Sequence, residues 1–483
     1  MDNTISIERE FRLRGGFFVK NNEVEKYEVS SDLSSLFLTQ KNNNSLKKEL
    51  LEIIESADKV LKICSFIITD IELFEAILNK AKNTNCNIFV LTYLNENKIN
   101  FIDFKGDDLT EEELENQTNL HFDHICELYK YGVFIRAAKN LHAKFVIADR
   151  QKGFITSANL TSPSLLFNTE SGVYLNIQES LKLDQLFDAV YQKGSNYIEF
   201  SSLSNNPDVV LITEVESTIK KEYLPQDNES NLRFTYNDLD NSLYKQILLV
   251  LNTANRYVYL STYSIVQLHK LPEFLEAIKK CINRNVKVFV FCRGMNYRSD
   301  HLEGAKILYD LGCKLYGDYY NHSKGVLNES MGMIFTANLD GQYGLTSGFE
   351  VGVILEEDQK NDFKLLHERL IKQAIYQFKN SICFYDLFQT YDEYEREKSI
   401  KNPFGYDHVE ILIPKKYNSL KENICDYISY IGNIHGQYFF ICNNESYNAI
   451  IDENKITIGE KISTINYVEK FIFKFKVLKI SVL

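Results

Sequence analysis

The chain has 483 residues, 44% of them hydrophobic and 25% charged, with a formal net charge of −12. That composition excludes wholesale disorder and a generally basic coat protein for nucleic acid, and the length calls for two or three domains. The sequence has no run of about 18 apolar residues, so no membrane span is expected.

The opening stretch MDNTISIEREFRLRGG lacks the apolar segment of a secretory signal, and the nine cysteines include no C-x-x-C pair. Reduced thiols in a cytoplasmic protein are the expectation. Residues 1–45 are polar and mixed, with a strand expected near residues 16–20. Helical periodicity over 46–57, an apolar strand over 60–68, an amphipathic helix over 72–83 and a second apolar strand over 86–93 make a βαβ unit. An acidic stretch, 105–124, reads as a solvated loop or helix inserted in that unit. His121 and His124 form an H-x-x-H within it, but no third and fourth ligand stand nearby, so no metal site is assigned.

The stretch LHAKFVIADRQKGFITSAN, residues 141–159, carries the chemistry. Residues 142–148 read as a strand, 149–153 as a turn and 154–155 as the start of the next strand. Side chains two apart on a strand share a face, so His142 and Lys144 are expected to point the same way. Asn159 ends the hairpin, and an acid, Glu170, follows in TESGVYL.

The arrangement occurs twice. His322, Lys324, Glu329 and Glu350 each lie 180 positions after His142, Lys144, Asp149 and Glu170, and Asn338 lies 179 after Asn159. The preceding segments repeat too: FLEAIKKCINRNVKVFVF matches LFEAILNKAKNTNCNIFVL, and ILYDLG matches ELYKYG. Each His-x-Lys alone would read as a surface strand pair; the duplicated set of His, Lys, Asn and Glu is specific.

These residues resemble the signature of the phospholipase D superfamily: His-x-Lys, four residues, Asp, then six residues and a Gly/Ser-Ser-x-Asn element. The first copy matches that spacing, with Thr156 in the Gly position and Ser157 after it. The second copy has Glu329 in place of Asp, and its closing element Thr336-Ala337-Asn338 is one residue shorter. The resemblance implies two α/β/α sandwich repeats related by a pseudo-twofold axis, with one site built from both. It further implies His142 as nucleophile, His322 as general acid, Lys144 and Lys324 as phosphate clamps, and Asn159 and Asn338 as amide donors. Glu170 and Glu350 are expected to orient the histidines. Asp149, Ser157, Glu329 and Thr336 are expected to support the motif structurally. No cofactor is required by that set.

The expected architecture is therefore α/β: a first repeat over residues 1–200, a linker over 201–232, a second repeat over 233–395 and a small α+β module over 400–483. In that module Lys474, Lys476 and Lys479 alternate with Phe471, Phe473 and Phe475, which reads first as a half-buried strand and second as a nucleic-acid stripe. The function expected is a metal-independent nuclease acting on DNA or RNA through a phosphohistidine. The resemblance also implies a role in restriction or antiviral defence, with an ATPase or helicase partner. A lipid-directed phospholipase or phosphatidyl transferase and a catalytically degenerate scaffold are the alternatives. Oligomers are compatible with the sequence.

Overall fold

The first motif hairpin forms where its apolar run demands it. Strands Phe145–Ala148 and Lys152–Thr156 pair antiparallel, Phe145 opposite Ile155 and Ala148 opposite Lys152. Asp149 and Arg150 turn the chain with φ of 52° and 64°, a left-handed conformation that Asp tolerates better than most residues. The computed structural model describes residues 12–22, 33–40, 43–94, 111–138, 140–194, 197–203, 206–226, 230–294, 299–383, 390, 408–424, 429–434, 437–442, 445–452, 454–462 and 470–483. These divide into one unit of residues 23–296 and 310–374 and another of residues 1–22, 297–309 and 375–483.

The larger unit contains both motifs. Its first sheet runs, in spatial order, Asn206–Val215, Tyr197–Leu203, Phe134–Ala138, Asn87–Thr92, Val60–Ser65, Phe145–Ala148, Lys152–Thr156, Glu170–Tyr174 and Phe37–Thr39. The second repeat follows the same order with Lys314–Asp318, Lys287–Arg293, Tyr257–Ser261, Gly325–Asn328, Gly332–Phe335, Glu350–Ile354 and Leu232–Tyr236. In each, the two central βαβ strands are parallel and the motif strand joins them antiparallel. Amphipathic helices cover the sheets, among them Ser45–Ser56 and Ile71–Asn83 in the first repeat and Ser242–Thr253 and Pro272–Asn283 in the second. The Asp70 carboxylate caps the second of these by accepting the Leu73 N–H.

The repeats share one core. Phe145, Ile155 and Val173 from the first cluster with Leu327, Ile334, Phe349 and Val351 from the second. Phe145 and Phe349 meet edge-on with ring centroids 6.4 Å apart.

Two features of the larger unit differ from the sequence reading. Residues 142–148 were expected as one strand, but the strand begins at Phe145. Leu141 bridges instead to Phe349 of the other repeat, and the His142 N–H donates to the Phe349 carbonyl at 3.0 Å, so the lead-in leaves its own sheet. The stretch 201–232, read as linker from its polar opening, includes part of the hairpin Tyr197–Leu203 and Asn206–Val215 at the first sheet's edge. The apolar run VVLIT supplies that strand. Of the acidic stretch 105–124, residues 105–110 lie outside the described residues, and the rest belongs to the helix Glu111–Lys130.

In the smaller unit, strand Arg12–Lys20 pairs antiparallel with Tyr376–Cys383. Residues 400–483 were expected as α+β; of these, 400–407 lie outside the described residues. Their described part is a closed six-stranded barrel, ordered His408–Ile413, Lys455–Ile462, Glu445–Asp452, Gln437–Cys442, Ser429–Ile434 and Lys470–Val482, with one 3₁₀ segment, Lys415–Glu422. The barrel closes because the 13-residue last strand pairs on both sides, with His408–Ile413 and with Ser429–Ile434. Val409, Ile411, Phe440, Ile456 and Ile458 fill its interior.

Candidate active site

Two short ladders bring the motifs together. Leu141 pairs with Phe349, and Thr169 pairs with Asn321, both as parallel bridges between repeats. The two bridges are images of each other, since 141 corresponds to 321 and 169 to 349. The Thr169 N–H donates to the Tyr320 carbonyl at 2.8 Å, and the His322 N–H donates to the Thr169 carbonyl at 2.9 Å. Ser171 and Ser323 share a buried hydrogen bond of 2.7 Å across the same junction.

Each histidine consequently takes its carboxylate from the opposite repeat. His142 Nδ1 lies 2.7 Å from Glu350 Oε1, and His322 Nδ1 lies 2.7 Å from Glu170 Oε1. The other oxygen of each carboxylate accepts a hydroxyl from its own repeat: Ser157 to Glu170 Oε2 and Thr336 to Glu350 Oε2, both at 2.5 Å. A carboxylate at Nδ1 favours the tautomer with the proton on that nitrogen and leaves Nε2 clear of the contact.

The two glutamates are buried at 0% and 1% exposure. Burial opposes their ionisation. The neighbouring His322 and Lys324 charges and the Ser157 hydroxyl outweigh it at Glu170, and His142, Lys144 and the Thr336 hydroxyl do so at Glu350. Both carboxyls are held below the usual range, so both are charged near neutral pH.

Lys144 and Lys324 are also buried. Each ammonium donates to the carbonyl of the histidine two residues before it, Lys144 to His142 and Lys324 to His322, the latter at 2.8 Å. Lys324 Nζ further lies 3.2 Å from His322 Nδ1. Asn159 and Asn338 are half-buried, and their Oδ1 atoms are enclosed with no hydrogen-bond partner among the described residues. The residue after each is pinned to the sheet: the Leu160 N–H donates to Ser65 Oγ at 3.3 Å and the Leu339 N–H to Thr262 Oγ1 at 3.0 Å.

Asp149 and Glu329 stand apart from these groups. The Asp149 carboxylate accepts the backbone N–H groups of Asp58, Lys59 and Val60 at 2.7–2.9 Å. Glu329 accepts those of Asn255 and Arg256 at 2.6 and 3.3 Å. Each acid ties its hairpin turn to the loop that feeds the first central strand. The Asp149 turn has left-handed φ and the Glu329 turn does not, and the extra methylene of Glu lets a differently shaped turn reach the equivalent amides.

Other sequence candidates lie elsewhere. His121 is buried, and burial pushes its imidazole down to about 4; its ring nitrogens face the Ile68 carbonyl, Thr92 Oγ1 and the Tyr93 carbonyl. His124 stacks on Phe74 at 3.8 Å. Among the described residues no three His, Cys, Asp or Glu side chains are grouped to hold a metal ion. Lys474 and Lys476 lie on the last barrel strand, with side chains outside the described residues. Lys479 is exposed and pairs with Glu410 at 3.1 Å.

Sequence reasoning missed the rings packed on the histidines. Phe66 meets His142 edge-on at 5.9 Å, and Tyr263 meets His322 edge-on at 5.0 Å. Each directly follows its central strand by one or two residues, and that repeated placement was the available signal.

Residues 50–191 match a family model described as cardiolipin synthase, phospholipase D-like domain. That span includes His142, Lys144, Asn159 and Glu170. A search of curated protein sequences gave no match. Among solved structures, phosphatidylserine synthase of Haemophilus influenzae is 10% identical, with a TM-score of 0.48, covering 80% of this chain and 97% of that one. Polyphosphate kinase of Porphyromonas gingivalis is 11% identical, with a TM-score of 0.44, covering 69% of this chain and 49% of that one. Nuc, a phospholipase D family member from Salmonella typhimurium, is 15% identical, with a TM-score of 0.27, covering 31% of this chain and 99% of that one. Residues 50–191 thus match a phospholipase D-like, phosphodiesterase-type domain, and the second His-x-Lys copy, outside that span, resembles it.

Proposed function

We propose that the chain is a nuclease: a metal-independent phosphodiesterase that cleaves DNA or RNA through a covalent phosphohistidine. The observation that supports this reading is the reciprocal pairing of His142 with Glu350 and of His322 with Glu170. It gives one site two imidazoles in a fixed tautomer, each beside a buried lysine.

In this reading His142 Nε2 attacks phosphorus and forms a P–N bond as the P–O bond to the leaving group breaks. His322 gives its Nε2 proton to the leaving oxygen. Water then attacks phosphorus, His322 takes its proton, and the P–N bond breaks. Lys144, Lys324 and the amides of Asn159 and Asn338 neutralise the non-bridging oxygens as charge accumulates. Uncatalysed phosphodiester hydrolysis is extremely slow, so this electrostatic share must be large.

A nucleic-acid substrate, rather than lipid, is the reading we favour on one observation. A barrel is joined to the chain after the second motif, as a candidate for target recognition. With a net charge of −12, we read delivery of the substrate as the task of a partner such as a helicase or other ATPase. A cytoplasmic setting, with a role in restriction or antiviral defence, belongs to the same proposal.

The test is to incubate the protein in EDTA with plasmid, single-stranded DNA, RNA and phospholipid vesicles. Cleavage of a nucleic acid supports the reading. Release of a phospholipid headgroup with every nucleic acid intact would transfer the site to lipid chemistry.

A further inference from the structure

We propose that Arg293, placed behind Tyr263, is a positioning residue whose charge sets the proton affinity of His322 and so distinguishes the two halves of the site electrically. The value of this to catalysis rests on the two-histidine reading above; the contacts and their test do not.

Each histidine begins a stack of three layers. In the first half, Phe66 lies edge-on to His142, and Tyr93 stacks on Phe66 at 4.7 Å with the rings 22° apart. In the second half, Tyr263 lies edge-on to His322, and the Arg293 guanidinium sits over the Tyr263 ring at 5.4 Å. The backbones of the outer layers match. The Tyr93 N–H donates to the Phe66 carbonyl at 3.3 Å, and the Arg293 N–H donates to the Tyr263 carbonyl at 3.3 Å. Tyr93 follows the strand Asn87–Thr92, and Arg293 ends the equivalent strand Lys287–Arg293. One architectural position therefore holds a phenol in one repeat and a permanent cation in the other.

Arg293 is 3% exposed. The two stacking distances put its guanidinium at most about 10 Å from the His322 ring. At that range, and away from bulk water, its charge still reaches the imidazole. A cation disfavours a second positive charge, so it makes the His322 imidazolium more acidic. The groups facing His322 include the Glu170 carboxylate, the Lys324 ammonium, the Tyr263 ring and the Ser171–Ser323 hydroxyl pair, and Arg293 itself has the acid Asp318 as its neighbour on the adjacent strand. His142 has the corresponding Glu350 and Lys144, with Phe66 as its ring. The Glu and Lys contributions recur in both halves, whereas Arg293 has no charged counterpart at Tyr93. A more acidic imidazolium is the better proton donor to a leaving oxygen, which suits His322 to that role and gives a pseudo-symmetric site a direction.

The experiment is an NMR titration of the full chain with ¹³C-labelled histidine and no substrate, the two site signals being assigned with His142→Gln and His322→Gln. Arg293→Gln is expected to raise the His322 midpoint by about half to one pH unit while the His142 midpoint stays at its parent value. Arg293→Lys, which keeps the charge, should hold His322 near its parent value. Tyr93→Arg should lower the His142 midpoint by a similar amount. An unmoved His322 in folded Arg293→Gln, equal movement of both histidines, or a Lys variant that behaves like Gln would each overturn the inference. If Arg293→Gln does not fold, the Tyr93→Arg arm decides alone: an unmoved His142 refutes it. Because no substrate is present, failure here leaves the nuclease reading intact, and a failed nuclease assay leaves this inference intact.

Discussion

His142 finds its carboxylate 208 residues away, in the other repeat: its Nδ1 lies 2.7 Å from Glu350 Oε1. Glu170 returns the contact to His322. Neither repeat alone holds an oriented histidine, so the duplication in one chain is what completes the site.

Removing either glutamate should therefore cripple the histidine of the opposite repeat. Glu350→Gln keeps the shape but takes away the carboxylate that lies 2.7 Å from His142 Nδ1 and orients its ring and tautomer. We expect a fall in kcat of about 10²- to 10⁴-fold, with little change in KM. Glu170→Gln should do the same through His322. Steady-state kinetics on both variants checks this, and a KM effect with unchanged kcat would assign the glutamates to substrate binding instead.

Asp149 and Glu329 should behave oppositely. Asp149→Ala leaves three backbone N–H groups without their acceptor and should cost about 1–3 kcal/mol of stability, read by denaturant unfolding. Glu329→Ala should cost somewhat less, since it holds two. Turnover by the folded fraction should stay within a fewfold of the parent's.

Acid should loosen the junction between repeats. The folded-state pKa values of Glu170 and Glu350 are depressed below the ordinary carboxylate value. Their stabilising contribution is thus fully present above about pH 5 and is lost as pH falls through the depressed values. Ser157→Ala and Thr336→Ala each remove one hydroxyl that favours the charged form. Each should move the acid-unfolding midpoint to higher pH. Thermal melts between pH 2 and pH 6 measure this, and a shift to lower pH would contradict the sign.

Chelation should leave activity in place. The two lysines and two histidines supply the charge neutralisation and proton transfer that a metal would otherwise give. Cleavage in excess EDTA at an unchanged rate is the expected result. Loss on chelation, restored by Mg²⁺ or Mn²⁺, would remove the phosphohistidine mechanism.

Much of the site was legible because chemistry-bearing residues recur at one offset. His142 and His322, and Lys144 and Lys324, stand out by position alone. The exchange of glutamates was not legible, because a constant offset fits pairing within a repeat as well as between repeats. Only the ladder at Leu141–Phe349 and Thr169–Asn321 decides it. Phe66, Tyr93, Tyr263 and Arg293 were missed for a related reason. They sit on strand ends far along the chain from the motifs, and on sequence alone an aromatic after an apolar strand reads as core. The hairpin at 197–215 and the closed barrel depend on long-range strand pairing, which local periodicity does not encode. His121 shows the reverse case: an H-x-x-H with metal-like spacing whose ring nitrogens are taken by backbone and hydroxyl groups of its own core.

The central claim, one site with His142 as nucleophile and His322 as acid, is tested most directly by trapping the intermediate. A nitrophenyl phosphodiester has a good leaving group and needs little protonation, so it can load the nucleophile when the general acid is gone. His322→Ala protein mixed with this substrate, quenched and analysed by peptide mass spectrometry should carry a phosphoryl group on His142, and His142→Ala should carry none. A phosphoryl group on His322 of the His142→Ala protein, with His142 unlabelled in the other variant, would contradict the assignment; no phosphohistidine in either, with turnover intact, would contradict the account as a whole.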